Sequence, residues 1–226
     1  VGPRVVDRAT GEIGVRMESP DPEKNRRGFN PIDYPDLEFA YTIRVRPEPE
    51  GAAFRIVVDL EQPLSADWIG KVGFNIELFP GFLFGRTFAA GDTVGIFPRQ
   101  PNGPGTLVAG EVRLDPLAVG RRLVVAPESE EHRLAIENLG AGDLELLDGR
   151  ELHTKGWFVV RALAPADATT GAIEWLVSPH AIPDWKSAPV VQLSQVGYHP
   201  AQPKVAVIEL DRHEAAREVA RLVRID

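Results

Sequence analysis

The sequence predicts an all-β chain, with a jelly-roll-like sandwich over residues 1–178 as its main part. Short apolar-alternating runs recur along it, turn residues part them at spacings of about 8–12, and 21 glycines and 20 prolines punctuate the 226 residues. A helical period is almost absent. Only residues 214–221 have helix-like composition, and their setting between strand-like runs favours a loop or short turn.

Taken in order, the first strands are expected at 12–18 and 37–45. The clearest follows at 54–60, where Phe54, Ile56, Val58 and Leu60 alternate with Arg55, Val57 and Asp59. That period of two marks a strand with one buried face. Further runs lie at 72–79, 123–126, 134–137, 144–147, 157–163 and 173–177. Turn chemistry separates them at 47–51, 101–105, 140–142, 148–149 and 169–171. Ten or more strands exceed a minimal sandwich and suit a double sheet.

Residues 179–189, PHAIPDWKSAP, hold three prolines and form a stiff connector. Two more alternating runs follow, 190–196 and 204–210, around a break built from Gly197, Tyr198, Pro200 and Pro203. The final run, 219–225, is strand-like as well.

Composition excludes several classes. Net charge is −8, and Arg26–Arg27 and Arg121–Arg122 are the only adjacent basic pairs, so the electrostatic footprint of nucleic-acid binding is missing. No apolar run approaches the 18 or so residues that a spanning helix requires. With no cysteine there is no thiolate nucleophile, thiolate metal site or disulfide frame. The five histidines, at 132, 153, 180, 199 and 213, never stand at metal-ligand spacing. No cofactor is expected. Asp21, Glu23 and Asp33 could supply oxygens to a structural calcium, but solvated loop charges are the better reading.

The string Gln195-Val196-Gly197-Tyr198-His199-Pro200, followed by Pro203-Lys204-Val205-Ala206-Val207, resembles the opening of the immunoglobulin-like domain that precedes the catalytic barrel in bacterial cellulase-type enzymes of glycoside hydrolase family 9. Residues 71–80, 95–104, 156–161 and 173–175 also look like segments of an N-terminal β domain in some members. Such a sandwich needs about 100 residues. Residues 190–226 are too few, so the resemblance implies an incomplete immunoglobulin-like domain at the front of a longer protein.

The resemblance further implies a periplasmic or extracellular enzyme acting on a β-1,4-glucan or related glycan. Its chemistry would be inverting, with two carboxylates in a downstream helical barrel of the same polypeptide. The family's paired aspartates have no counterpart here: Ala90-Gly91-Asp92 and Ala141-Gly142-Asp143 each lack the first aspartate. No catalytic residue carries over, and the expected role is non-catalytic. This β region would buttress the barrel and shape one end of its cleft. The alternatives are an independent carbohydrate-binding module and an interaction or adhesion sandwich unrelated to sugar.

Sugar contact calls for exposed aromatic rings with polar groups beside them. The candidates are Trp68 in a loop before the 72–79 run, Trp185 in the connector, Phe82 and Phe84 in a phenylalanine-rich stretch, and Arg99 and Gln100 in a proline-rich loop. For Phe82 and Phe84 a core position is the favoured reading; for Trp185 it is interdomain packing. Trp157 and Trp175 lie in apolar runs and are expected in the core.

Overall fold

The computed structural model describes residues 1–19, 39–101, 105–151, 156–221 and 223. Asp21, Glu23 and Asp33 lie outside them. Two compact units divide the chain, Val1–Ala181 and Ile182–Asp226. The division falls within the expected connector.

The first unit is built from β1 (Arg4–Val6), β2 (Ile13–Glu18), β3 (Ala40–Pro47), β4 (Phe54–Leu60), β5 (Gly73–Leu78), β6 (Thr87–Ala90), β7 (Thr93–Ile96), β8 (Gly105–Val108), β9 (Glu111–Leu114), β10 (Ala118–Gly120), β11 (Arg122–Val125), β12 (Leu134–Asn138), β13 (Leu144–Asp148), β14 (Phe158–Leu163) and β15 (Ile173–Pro179). Short 3-10 turns stand at Ala66–Trp68, Pro80–Phe82 and Gly149–Glu151. Among the described residues there is no α-helix.

Every strand pairing is antiparallel. A nine-stranded sheet has the order β1-β2-β3-β4-β15-β12-β11-β6-β7, a four-stranded sheet the order β10-β13-β14-β5, and β8 and β9 form a separate hairpin. The chain passes between the two sheets repeatedly, from β4 to β5, back at β6, and again around β10–β15. This is an all-β sandwich, with unequal layers of nine and four strands.

Alternation decides what enters the core. From the large sheet come Ile56, Val58, Leu60, Leu123, Val125, Ile136, Ile173, Trp175 and Val177; from the small sheet come Leu144, Leu146, Phe158, Val160 and Ala162. Phe74 of β5 meets Trp175 of β15 edge-on at 5.1 Å, which ties the layers together. Trp175 is fully buried, as its sequence setting predicts. Its indole N–H has no acceptor among the described residues, an unmade hydrogen bond in the centre of the fold.

The outer face of the large sheet is closed by ion pairs. Arg16 bonds Glu61 and Glu18, Arg44 bonds Asp59, and Arg55 bonds Glu48 and Glu174. Hydrogen bonds donated to Glu48 and then to Glu174 push the Arg55 guanidinium above its ordinary range. These charges are spent on one another.

The second unit contains one hairpin, β16 (Val190–Gln192) with β17 (Val207–Glu209). Between them Gly197 takes a positive φ of 82°. The Tyr198 hydroxyl accepts from the Ser194 N–H and donates to the Val205 carbonyl. Lys204 Nζ donates to the Pro200 carbonyl at 2.6 Å. Asp211 accepts from the backbone N–H groups of His213 and Ser187, which holds its carboxyl below the usual aspartate range. The strands are shorter than the expected runs at 190–196 and 204–210. Residues 219–221 are irregular, so the strand expected at 219–225 does not start there.

Candidate functional site: an aromatic row and an open groove

The loops after β5, β7, β11 and β13 gather at one end of the sandwich. Phe82 and Phe84, after β5, and Arg99 and Gln100, after β7, are brought to this end. Leu78 of β5 pairs with Phe158 of β14, and Asp148 of β13 pairs with the same Phe158. The chain therefore leaves β5 and β13 beside the entry to β14.

Phe79, just after β5, and Trp157, just before β14, lie 5.3 Å apart between ring centroids. Phe82 continues the series at 5.1 Å from Phe79, and the His132 ring follows at 5.4 Å from Phe82. His132 is itself fixed by Ser129, whose Oγ lies 3.1 Å from Nδ1. The result is a row of four rings. Phe79 is 51 % exposed and Phe82 59 %, so the row faces solvent. The expected core position for Phe82 is overturned: residues 80–82 form a 3-10 turn that swings its ring outward. At Gly81 an added Cβ would sit 2.9 Å from Phe79 Cε1, so the exposed Phe79 ring packs closely over this glycine.

Trp157 also departs from expectation. Phe158, Val160 and Ala162 are the core-facing residues of β14, so Trp157 belongs with Val159 and Arg161 on the other face. It is half-buried in the aromatic row.

Phe84 is half-buried and meets Phe158 edge-on at 6.4 Å. Its other face is covered by cations, with the guanidinium of Arg150 5.1 Å and that of Arg99 5.8 Å from the ring centroid. Arg99 and Gln100 have exposed side chains, and their backbone is what the fold uses. Arg150 donates to the carbonyls of Pro98 at 2.7 Å, Arg99 at 3.0 Å and Gln100 at 3.3 Å. The same guanidinium grips both oxygens of Asp148, each at 2.7 Å, and stacks 4.5 Å from the Phe158 centroid.

Arg150 thus pins the loop after β7 to the end of β13. Sequence reading did not single it out. The signal was Asp148, a carboxylate on the core-facing row of Leu144 and Leu146, which needs a cation close by.

The remaining candidates lie elsewhere. Trp68 ends the 3-10 turn before β5, half-buried, with Lys71 Nζ 6.0 Å above its ring. Trp185, in the second unit, is 52 % exposed. The structure therefore unites four of the six candidates.

An open groove of about 530 Å³ lies beside Lys71. It runs over the outer face of the small sheet. Asn75 of β5, Val159 and Arg161 of β14, and Glu145 and Leu147 of β13 line it, with Lys71 at one side and Arg113 of β9 at another. Arg161 holds Glu145 through bonds of 2.6 and 3.1 Å. Among the described residues no group of three or more metal-ligating side chains converges. The two Ala-Gly-Asp strings occupy turns, with Gly91 at φ 53° and Gly142 at φ 76°. No helix of the described residues is long and apolar enough to cross a membrane. The chain matches none of the known family models, curated proteins or solved structures with which it was compared.

Proposed function

We propose that this chain is a non-catalytic accessory region of a β-glycan hydrolase of the family 9 type, and that the loop end of its sandwich meets the sugar chain. The observation that supports this most is the solvent-facing row Trp157–Phe79–Phe82–His132. Sugar rings carry apolar C–H faces that lie flat on aromatic rings, and an exposed aromatic patch on a folded domain generally marks a contact surface. The exposed Arg99 and Gln100 side chains, in the loop fixed by Arg150, offer hydrogen bonds to hydroxyls at the same end. The resemblance of residues 195–207 to the immunoglobulin-like domain of family 9 enzymes is the reason for choosing a β-1,4-glucan and for proposing a catalytic barrel as partner.

The test is titration of the whole chain with a β-1,4-linked glucose hexamer, read by calorimetry and by tryptophan fluorescence. Binding is expected, with Phe82→Ala weakening it at least fivefold and leaving the melting temperature within 2 °C, since a largely exposed ring contributes little packing. Absence of binding to this and other neutral β-glucans would overturn sugar contact and leave the buttressing role alone.

A further inference from the structure

The groove on the small sheet differs in kind from the aromatic row. Its lining carries three cations, Lys71, Arg113 and Arg161, against one carboxylate, Glu145. That carboxylate is spent on Arg161. Neither Lys71 nor Arg113 has an ion-pair partner among the described residues. On the outer face of the large sheet Arg16, Arg44 and Arg55 are each paired with carboxylates. Two cations without an ion pair thus flank one groove, in a chain of net charge −8.

We propose that this groove binds an acidic oligosaccharide, one whose sugar units bear carboxylates, with Arg113 and Lys71 receiving the anionic groups. The guanidinium of Arg113 presents a planar fork matched to a carboxylate, and the Lys71 ammonium a compact charge. Asn75, with both donor and acceptor atoms, suits adjacent hydroxyls. A volume of about 530 Å³ falls within the range of small-ligand sites and holds a short stretch of sugar units rather than a single ion. Lys71 lies just before β5 and Asn75 within it, Arg113 in β9 and Arg161 in β14, so the groove is assembled by the fold.

This inference takes the sugar class from the reading above, and it concerns a different face and a different charge. The experiment separates them. The chain, isotopically labelled, is titrated with a linear tetramer of galacturonic acid, a neutral β-1,4-linked glucose tetramer, and a tetraglutamate peptide, each followed by amide chemical shifts.

The uronate tetramer is expected to move the signals of Lys71, Asn75 and Arg161. Its affinity should fall about tenfold in Arg113→Ala or Lys71→Ala, the loss of one charge-assisted hydrogen bond, and fall again in 0.5 M salt. Both side chains are surface groups, so the variants should melt with the wild type. The neutral tetramer should leave these three signals still while perturbing those near Phe82 and Trp157. No response of the groove to the uronate, or wild-type affinity in both variants, overturns the proposal. Tighter binding of the peptide than of the uronate overturns its assignment to sugar. A groove response without any response at the aromatic row sinks the earlier reading alone.

Discussion

Replacing Arg150 by methionine should be among the most damaging single changes on the loop end of the sandwich. The Asp148 side chain is 1 % exposed and that of Arg150 11 %, so the pair sits in a poorly solvated setting. Methionine keeps much of the aliphatic volume against Phe158 but leaves Asp148 as an uncompensated buried charge. Breaking such a pair from one side costs about 3–5 kcal/mol. At about 2–4 °C per kcal/mol for a unit of this size, the melting temperature should drop by about 6–20 °C. The carbonyls of Pro98, Arg99 and Gln100 lose their shared donor at the same time. Amide exchange should therefore quicken in that loop more than at Leu123 or Ile136. The partner experiment is the double variant Asp148→Leu with Arg150→Met. It removes both charges and should recover at least half of the loss, because an apolar pair needs no compensation. Thermal unfolding followed by circular dichroism measures all three proteins. A loss under about 1 kcal/mol in the single variant, or a double variant less stable than the single, would refute the argument that Asp148 depends on Arg150.

Other outcomes follow from the same structure. Trp175→Phe should cost less than the roughly 3–5 kcal/mol expected of Trp175→Ala, since it removes the unpaired indole N–H while retaining a ring against Phe74; urea unfolding of both variants checks the order. Gly95→Ala should destabilise by about 1–3 kcal/mol, because its Cβ would lie 2.4 Å from Cζ of the buried Phe88 ring across the β6–β7 pair, and the same titration reads it. The Glu128 carboxyl is held below the ordinary glutamate range, first by the Thr87 backbone N–H at 2.9 Å. Its contribution is therefore present above roughly pH 4 and lost as the pH falls through the depressed value. Stability of Glu128→Gln should accordingly converge on the wild type in acid, and convergence at neutral pH would contradict the assignment. In the second unit, carbon-detected NMR titration should find Asp211 ionised to lower pH than an ordinary aspartate, and Ser187→Pro should raise its value by removing a donor.

The long alternating runs were legible as strands because one face of each is buried. β4, β12, β14 and β15 lie within a residue or two of where the periodicity puts them. Six strands escaped: β1, β6, β7, β8, β9 and β10. They are three or four residues long, and Thr-Phe-Ala-Ala or Ala-Val-Gly carries no readable period. Only the pairing partner reveals such segments. Trp157 shows how much hangs on one position. Side chains alternate with a period of two, so counting inward from Phe158 puts Trp157 on the outer face. Hydrophobicity alone suggested the core. For Arg99 and Gln100 the difficulty was different, since side-chain chemistry drew attention while the backbone carbonyls hold the loop. The groove beside Lys71 rests on β5, β9, β13 and β14 converging, which no local pattern announces.

The seam at the middle of the large sheet joins β4 to β15, with Val58 opposite Ile173 and Phe54 opposite Val177. On a ribosome adding about 5–20 residues per second, β15 emerges roughly 6–24 s after β4. For that interval β4 can pair with β3 on one side while its other edge stays open. Ile56, Val58 and Leu60, the residues that later enclose the core, wait uncovered. A chain laid out this way cannot complete its centre during synthesis of its first half. Its yield in a cell should depend on holding chaperones, and a pause placed shortly after residue 60 should lower yield more than one placed after residue 179.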